Sequence, residues 1–336
     1  MLGSVFFEEI KRINDNPCIP WEAFRNKTFF ITGASGLIGT TLIYGLDYAN
    51  SVRNLGLKII ALVRNLERAH QRFGDLRVDD SFSIVQGNVE DLSAIDIPID
   101  YIVHAASQTA SKEFVCHAVE TIQTSVLGTI EILKLAKEKK SRVVYLSSME
   151  VYGHPEKGHR IDESEIGAMS PLDLRNSYPI SKVMAESLCC AYASEYGVHA
   201  SIIRLAQTYG VGVSDYDKRI FAYFADCVRE KKNIVLKTRG ETERCYLHTN
   251  DAVSAILAVL VKGRPGYAYN AADEDSYCSI AEMAQKIAEA NDIKLEFDIQ
   301  DEKTNGFPQA VYLKLDTSAL KALGWIPVQK GLPSLC

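Results

Sequence analysis

Tyr178 and Lys182 stand four residues apart, so on a helix both side chains project from one face. An ammonium beside a phenol favours the phenolate, lowering a pKa that is about 10 when unperturbed. A tyrosine tuned in this way can take a proton from a hydroxyl while hydride leaves the same carbon. An amphipathic helix with an incidental Tyr and Lys would show the same spacing. Ser147-Ser148 separates the two readings, because it closes the apolar run 142–146. A hydroxyl at the carboxyl end of a strand points into the crevice where ligands bind in open parallel sheets.

A hydride needs a carrier, and residues 32–39 offer a place for one: Thr32-Gly33-Ala34-Ser35-Gly36-Leu37-Ile38-Gly39. The run follows the apolar Phe29-Phe30-Ile31 and leads into a helical pattern. A strand turning abruptly into a helix needs one glycine for the turn. A second lets the backbone approach a pyrophosphate, and a third lets helix and strand pack closely. The spacing is one residue wider than the common dinucleotide fingerprint. An ordinary strand-turn-helix corner is the alternative; the readable strand and helix on either side favour dinucleotide binding.

These residues need a scaffold, and a chain of 336 residues is long enough for one large domain or one with an elaborated second lobe. Short apolar runs at Lys58–Val63, 83–85, Tyr101–His104, 142–146 and 201–205 alternate with helical patterns such as Ala118–Lys139. That alternation predicts a parallel sheet with helices on both faces. Residues 1–26 read as an extra helix and a loop containing Pro17 and Pro20. Residues 27–207 then form the dinucleotide-binding domain with the catalytic helix. From 208 to 336 the pattern is less regular, with strands at Ile234–Leu236, 245–248 and Ala268–Ala271 and helices at 251–261 and 280–291. It reads mainly as a smaller substrate-binding lobe, with room for returns to the first domain.

Composition closes off other classes. The formal net charge is −6 and no basic stripe interleaves with aromatics, which argues against nucleic acid as a partner. No apolar run approaches ~18 residues, so no membrane span is expected, and the N-terminus is unlike a secretory signal. Eight scattered cysteines form no C-x-x-C pair, and the adjacent Cys189 and Cys190 are poor partners for each other; reduced thiols in a cytoplasmic enzyme are expected. The seven histidines show no metal-ligand spacing, so no metal is expected.

Taken together, the chain resembles an extended short-chain dehydrogenase/reductase of the nucleotide-sugar epimerase and dehydratase group. The matching stretches are residues 32–39, Ser147-Ser148-Met149-Glu150-Val151-Tyr152-Gly153 and Tyr178-Pro179-Ile180-Ser181-Lys182. Arg204-Leu205-Ala206-Gln207-Thr208-Tyr209-Gly210, residues 244–251 and Leu323-Gly324-Trp325-Ile326-Pro327 complete the set in the family's order. The resemblance implies a Rossmann-type doubly wound parallel sheet with a smaller C-terminal α/β substrate lobe. It implies that Ser148 hydrogen-bonds the reacting sugar hydroxyl, Tyr178 is the acid/base, Lys182 holds the nicotinamide ribose and Glu150 removes a proton beside a transient ketone. Dinucleotide contacts are implied for Gly33, Ser35, Gly36, Leu37, Ile38, Gly39, Arg64, Asn88, Val89, Ala105 and Ala106. Substrate contacts are implied for Ser107, Met149, Gln207 and Arg219, with Arg244 meeting the nucleotide diphosphate through its guanidinium fork. Pairing through Ala118–Lys139 and the helix beginning near Tyr178 would make a homodimer; Leu188, Ala191 and Tyr192 could equally be ordinary core.

The chain also departs from that pattern. Gln207 and Ser125 stand where the family usually has asparagine, Asn88 replaces an acidic residue near the adenine, and a late arginine is missing near Gly306. The second strand ends Leu62-Val63-Arg64-Asn65, with Arg68 one turn on, where NAD-preferring relatives place a carboxylate. A cation there suits the extra phosphate of NADP, so NADP is preferred over NAD; stacking of Arg64 over adenine is the alternative. Met149 stands where dehydratases of this group carry an aspartic acid, and a thioether has no proton for a leaving hydroxyl. The leading expectation is transient oxidation at carbon 4 of a nucleotide-linked sugar with internal return of hydride. A reductase consuming NADPH on a keto-sugar or related carbonyl is the alternative, and a non-catalytic dinucleotide sensor a third.

Overall fold

Alternate residues of a strand face opposite sides, so a strand apolar at every position must be packed on both. In β1 (Thr28–Thr32), Phe29 and Ile31 enter one core and Phe30 another, all fully buried. The computed structural model describes residues 3–108, 111–212, 219–300 and 309–329. Helix α1 (Ser4–Asn14) and a 3-10 turn at Trp21–Phe24 precede β1. There follow α2 (Leu37–Arg53), β2 (Lys58–Val63), α3 (Leu66–Phe73), β3 (Phe82–Gln86), β4 (Tyr101–His104), α4 (Ser111–Cys116), α5 (Ala118–Lys139) and β5 (Arg142–Ser148). A 3-10 turn at Met149–Tyr152 leads to β6 (Arg160–Ile161), α6 (Ser177–Tyr196), β7 (His199–Leu205), β8 (Gln207–Tyr209), α7 (Ile220–Arg229), β9 (Ile234–Leu236) and β10 (Glu243–His248). Then come α8 (Thr249–Lys262), β11 (Ala268–Ala271), β12 (Asp273–Ser279), α9 (Ile280–Ala290), β13 (Leu295–Phe297), β14 (Tyr312–Leu315) and a last helical turn at Ser318–Lys321.

Seven strands make an all-parallel sheet in the order β11-β7-β5-β4-β1-β2-β3. The winding direction changes between β1 and β4, and a ligand crevice opens beyond the carboxyl ends of such a pair. One face carries α1, α2 and α8, with Phe6, Leu42, Ile43 and Ile256 in its core. The other carries α5 and α6, with Ile132, Leu133, Ala185 and Cys189.

A second sheet has the order β12-β10-β14-β6, with β8 beside β10. A small β13-β9 pair lies over its own core of Phe224, Leu236, Tyr246, Met283 and Ile287. The chain returns to the large sheet after leaving it, and does so across the division drawn at 207/208. β11 pairs with β7, Asn270 lying opposite Arg204. Residues 249–260 of α8 are all buried, and a helix apolar on every side needs core around it rather than beneath one stripe. The N-terminal extension is likewise part of the main body, since Phe6, Ile10 and Ile13 of α1 are buried in the first core. No helix among the described residues is long and apolar enough to cross a membrane.

Candidate active site

The turn from β1 into α2 is built from backbone contacts that leave no room for side chains. Gly33 has φ +64°, and a Cβ there would lie 2.4 Å from the Ala105 carbonyl oxygen at the end of β4. A Cβ on Gly39 would lie 2.4 Å from the Gly33 oxygen, so this glycine lets the first turn of α2 press onto the loop. Around Gly36 the nearest such neighbour is the Gly33 oxygen at 3.1 Å. No side chain caps α2, so first-turn amides at Leu37 and Ile38 stand at the positive end of the helix beside Ser35. This cradle fits a dinucleotide pyrophosphate. Thr32 Oγ1 ties the neighbouring ends together, 2.9 Å from His104 Nδ1 and accepting from the Ala106 amide at 3.1 Å.

Arg64, Arg68 and Asn88 are exposed past β2 and β3, with Asn65 accepting the Arg68 amide as the cap of α3. Val89 is buried, and Gly128 of α5 packs against it so closely that a Cβ would meet its Cγ1 at 2.7 Å; its contribution is to the floor of this region. Ser107 is half-buried, its hydroxyl donating to the Gln108 carbonyl.

At the end of β5 the two serines part company. Ser148 begins the 3-10 turn and accepts the Glu150 amide at 3.2 Å, and its hydroxyl acts on the Tyr178 phenol in the direction that favours the phenolate. Ser147 faces the opposite way, as strand alternation requires, and donates to Glu186 Oε1 at 2.5 Å. Only Ser148 therefore reaches the crevice. The Tyr178 ring is stacked on Phe114 of α4, with centroids 4.3 Å apart and planes 1° from parallel. Lys182 Nζ donates to the Leu146 carbonyl at 2.7 Å and lies 4.7 Å from the Tyr145 ring centroid and 5.6 Å from that of Tyr178.

The electrostatics here correct the expectation of a phenol lowered by its lysine. Burial raises the Tyr178 phenol above its ordinary range, the Glu150 charge raises it further, and the Ser148 hydroxyl opposes both. Burial pulls Lys182 down to about 7, with Glu186 opposing. The amine's closest anchor is a carbonyl, and both groups are desolvated, so each favours its neutral form. The sign of the resulting pH dependence is fixed. Between about 7 and the ordinary 10.5, the unfolded chain binds more protons at this lysine than the folded one, so stability rises with pH across that window. Lys182→Met removes the effect. Its stability relative to wild type is expected to be highest below pH 7 and to decline by up to about 1.4 kcal/mol per pH unit above it. Urea unfolding at a series of pH values reads this directly, and a constant difference would show an amine that stays solvated.

Three residues that sequence reasoning left unused hold this geometry. Phe114 covers one face of the acid/base ring. Glu186, four residues after Lys182, receives Arg204 at 2.7 Å through Nη2 and 3.0 Å through Nε, in addition to Ser147. Arg204 also donates to the Tyr152 hydroxyl at 2.9 Å, and that hydroxyl donates to Asn270 Oδ1 at 2.7 Å. The buried cluster joins α6, which carries Tyr178, to the turn that carries Glu150. A Lys182-to-Glu186 spacing of one helical turn was the available signal for it, while the link to Arg204 is purely tertiary.

On the substrate side, β8 lies beside β10, pairing Gln207 with Tyr246 and Tyr209 with His248. Two arginines converge on β8. Arg244 Nη1 reaches Gln207 Oε1 at 3.4 Å, and Arg219 Nη1 donates to the Thr208 carbonyl at 3.2 Å. Arg244 Nε is buried with no partner among the described residues, an unmet donor of the kind that an anionic oxygen satisfies. Met149 is buried at 3% exposure. Gly306 lies outside the described residues.

The model of the NAD dependent epimerase/dehydratase family matches residues 29–272. The chain is similar to UDP-glucuronic acid decarboxylase 1 of Xenopus tropicalis, 26% identical over 316 residues that cover 91% of this chain and 70% of that one. It is similar also to dTDP-D-glucose 4,6-dehydratase of Homo sapiens, 28% identical over 319 residues, 90% of this chain and 85% of that one. Among solved structures, dTDP-glucose 4,6-dehydratase from Bacillus anthracis in complex with NAD shares the fold, with a TM-score of 0.74 at 21% identity, covering 90% of this chain and 92% of that one.

Proposed function

The chain belongs to the NAD-dependent epimerase/dehydratase family, and from that premise we propose that it oxidises carbon 4 of a nucleotide-linked sugar and returns the hydride within one turnover. The observation that carries the reading is the placing of Ser148 and Glu150 at the carboxyl end of β5, with Lys182 tied to Leu146 of that strand and 5.6 Å from the Tyr178 ring centroid. Bound nicotinamide supplies the hydride acceptor, and its positive charge favours the phenolate. Ser148 orients the sugar hydroxyl, Tyr178 takes and later returns its proton, and Lys182 holds the ribose. Glu150 removes the proton made acidic by the transient ketone. Arg244, with its buried Nε free, and Arg219 bind the diphosphate.

Buried Met149 has no proton for a leaving hydroxyl, which favours a second step without one: epimerisation, in which the proton taken by Glu150 is replaced on the other face, or loss of a carboxyl group as carbon dioxide, in which Glu150 takes no proton and the enolate left behind gains one. Exposed Arg64 and Arg68 past β2 support NADP; the NAD in the Bacillus anthracis protein supports the other dinucleotide. The apolar residues Val119, Ile122 and Leu127 of α5 and Met184 of α6 are exposed, which supports pairing of two copies through these helices.

Native mass spectrometry of the purified protein against UDP-, GDP-, CDP- and dTDP-sugars tests the proposal. A co-purified dinucleotide, one preferred nucleotide, a dimer mass and turnover without added NADPH are expected. Turnover that consumes NADPH mole for mole would instead establish the ketoreductase reading, which Arg64 also suits.

A further inference from the structure

Helix α1 lies ahead of the family match at 29–272, yet it reaches the ends of both strands that carry the substrate-side residues. On the strand β8 side, Gly212 follows Tyr209 by three residues, and a Cβ on it would stand 3.3 Å from Phe6 Cε2. The Gly212 carbonyl accepts from Arg72, whose Nε donates to Thr40 Oγ1 of α2 at 3.0 Å. On the strand β10 side, Asn250 follows His248 by two residues. Its Nδ2 donates to the Glu9 carbonyl at 3.1 Å and to the Glu9 carboxylate. The two strand ends are themselves locked together, Tyr209 and His248 meeting edge to face at 5.4 Å.

Helix α1 also packs on α2 at both ends, Phe6 meeting the Tyr44 ring edge to face with centroids 5.3 Å apart. Ile13 packs on Gly45 of α2, where a Cβ would lie 3.4 Å from its Cγ2. The first half of this helix therefore touches both α2 and the chain past the carboxyl ends of β8 and β10, the strands that begin with Gln207 and with Glu243-Arg244.

We propose that α1 is a positioning element for nucleoside diphosphate binding, Phe6 and Glu9 fixing the ends of β8 and β10 and thereby the placement of Gln207, Arg219 and Arg244. The inference rests on the nucleotide-sugar reading above. In physical terms, packing at Gly212 and the hydrogen bonds at Asn250 remove freedom that the strand pair would otherwise lose on binding the diphosphate, so a ligand meets a preorganised site. The close approaches that form the dinucleotide cradle are made by backbone of β1, α2 and β4 rather than by Phe6 or Glu9.

The test is isothermal titration with UDP, dTDP, GDP and CDP, alongside dinucleotide retention and melting temperature, for Phe6→Leu, Glu9→Ala and Ile13→Ala. Phe6→Leu and Glu9→Ala are expected to weaken the preferred nucleoside diphosphate about fivefold or more, with dinucleotide affinity changed less than about twofold. Ile13→Ala, which opens a void against α2, lowers the melting temperature and leaves nucleoside diphosphate affinity unchanged. Equal weakening by Ile13→Ala would reduce α1 to general stability and overturn the proposal, as would unchanged affinity in both Phe6→Leu and Glu9→Ala. Failure of all four diphosphates to bind the unaltered protein would instead sink the nucleotide-sugar reading on which the proposal stands.

Discussion

Tyr178→Phe is expected to lower turnover of the preferred nucleotide sugar by about 10²–10⁴-fold, the range typical of a lost general acid–base group. The replacement removes one oxygen and keeps the ring, so the stack on Phe114 survives and the helix is undisturbed. What disappears is the phenol oxygen, the group proposed to exchange a proton with the sugar hydroxyl. Burial holds the phenol above its ordinary pKa and so protonated; in the proposed mechanism the positive charge of a bound nicotinamide would favour its loss of that proton. The variant should retain its dinucleotide and unfold within a few degrees of the unaltered protein. Loss of activity without loss of cofactor or stability assigns chemistry to this oxygen. Activity within about threefold of wild type would show that another group moves the proton.

Glu150→Gln is the second large effect, expected at about 10²-fold on overall turnover. Its distinctive readout is partial reaction. If Glu150 removes the proton next to the transient ketone, oxidation of carbon 4 still proceeds in the variant and the reduced dinucleotide accumulates, visible by its near-ultraviolet absorbance. The pH response has a definite sign as well. The Glu150 carboxylate raises the Tyr178 pKa, so neutralising it stabilises the phenolate and moves the limb of the oxidation half-reaction to lower pH. A variant with no accumulated reduced dinucleotide and an unmoved pH limb would make Glu150 a structural residue of the turn.

Much of the scaffold was readable because its signals are local. A strand buried on both faces is almost wholly apolar, so Lys58–Val63 and Tyr101–His104 were visible at their observed bounds. Gly33 and Gly39 announced the cradle, because a side chain at either would collide with backbone. Tyr178 and Lys182 announced themselves by helical spacing. Local signals do not say which sheet a strand joins: the sequence leaves room for returns from 208–336 to the first domain without naming the strand, and β11 is one, completing the large sheet beside β7. Nor do they give the dielectric around a side chain. The lysine that sequence spacing paired with a phenol donates instead to the Leu146 carbonyl.

The chemical groups on offer are legible in the chain without its fold: a phenol, a hydroxyl, a carboxylate and two arginines on a parallel α/β frame with a glycine-lined turn. Residue types and short spacings suffice for that, since helix and strand periodicities are properties of the local backbone. Only the packed fold shows why Ser147 turns away to Glu186, how burial shifts Tyr178 and Lys182, and which residues brace the site. Those outcomes depend on contacts between segments far apart in the chain, such as Glu186 with Arg204 or Glu9 with Asn250. No local pattern encodes them.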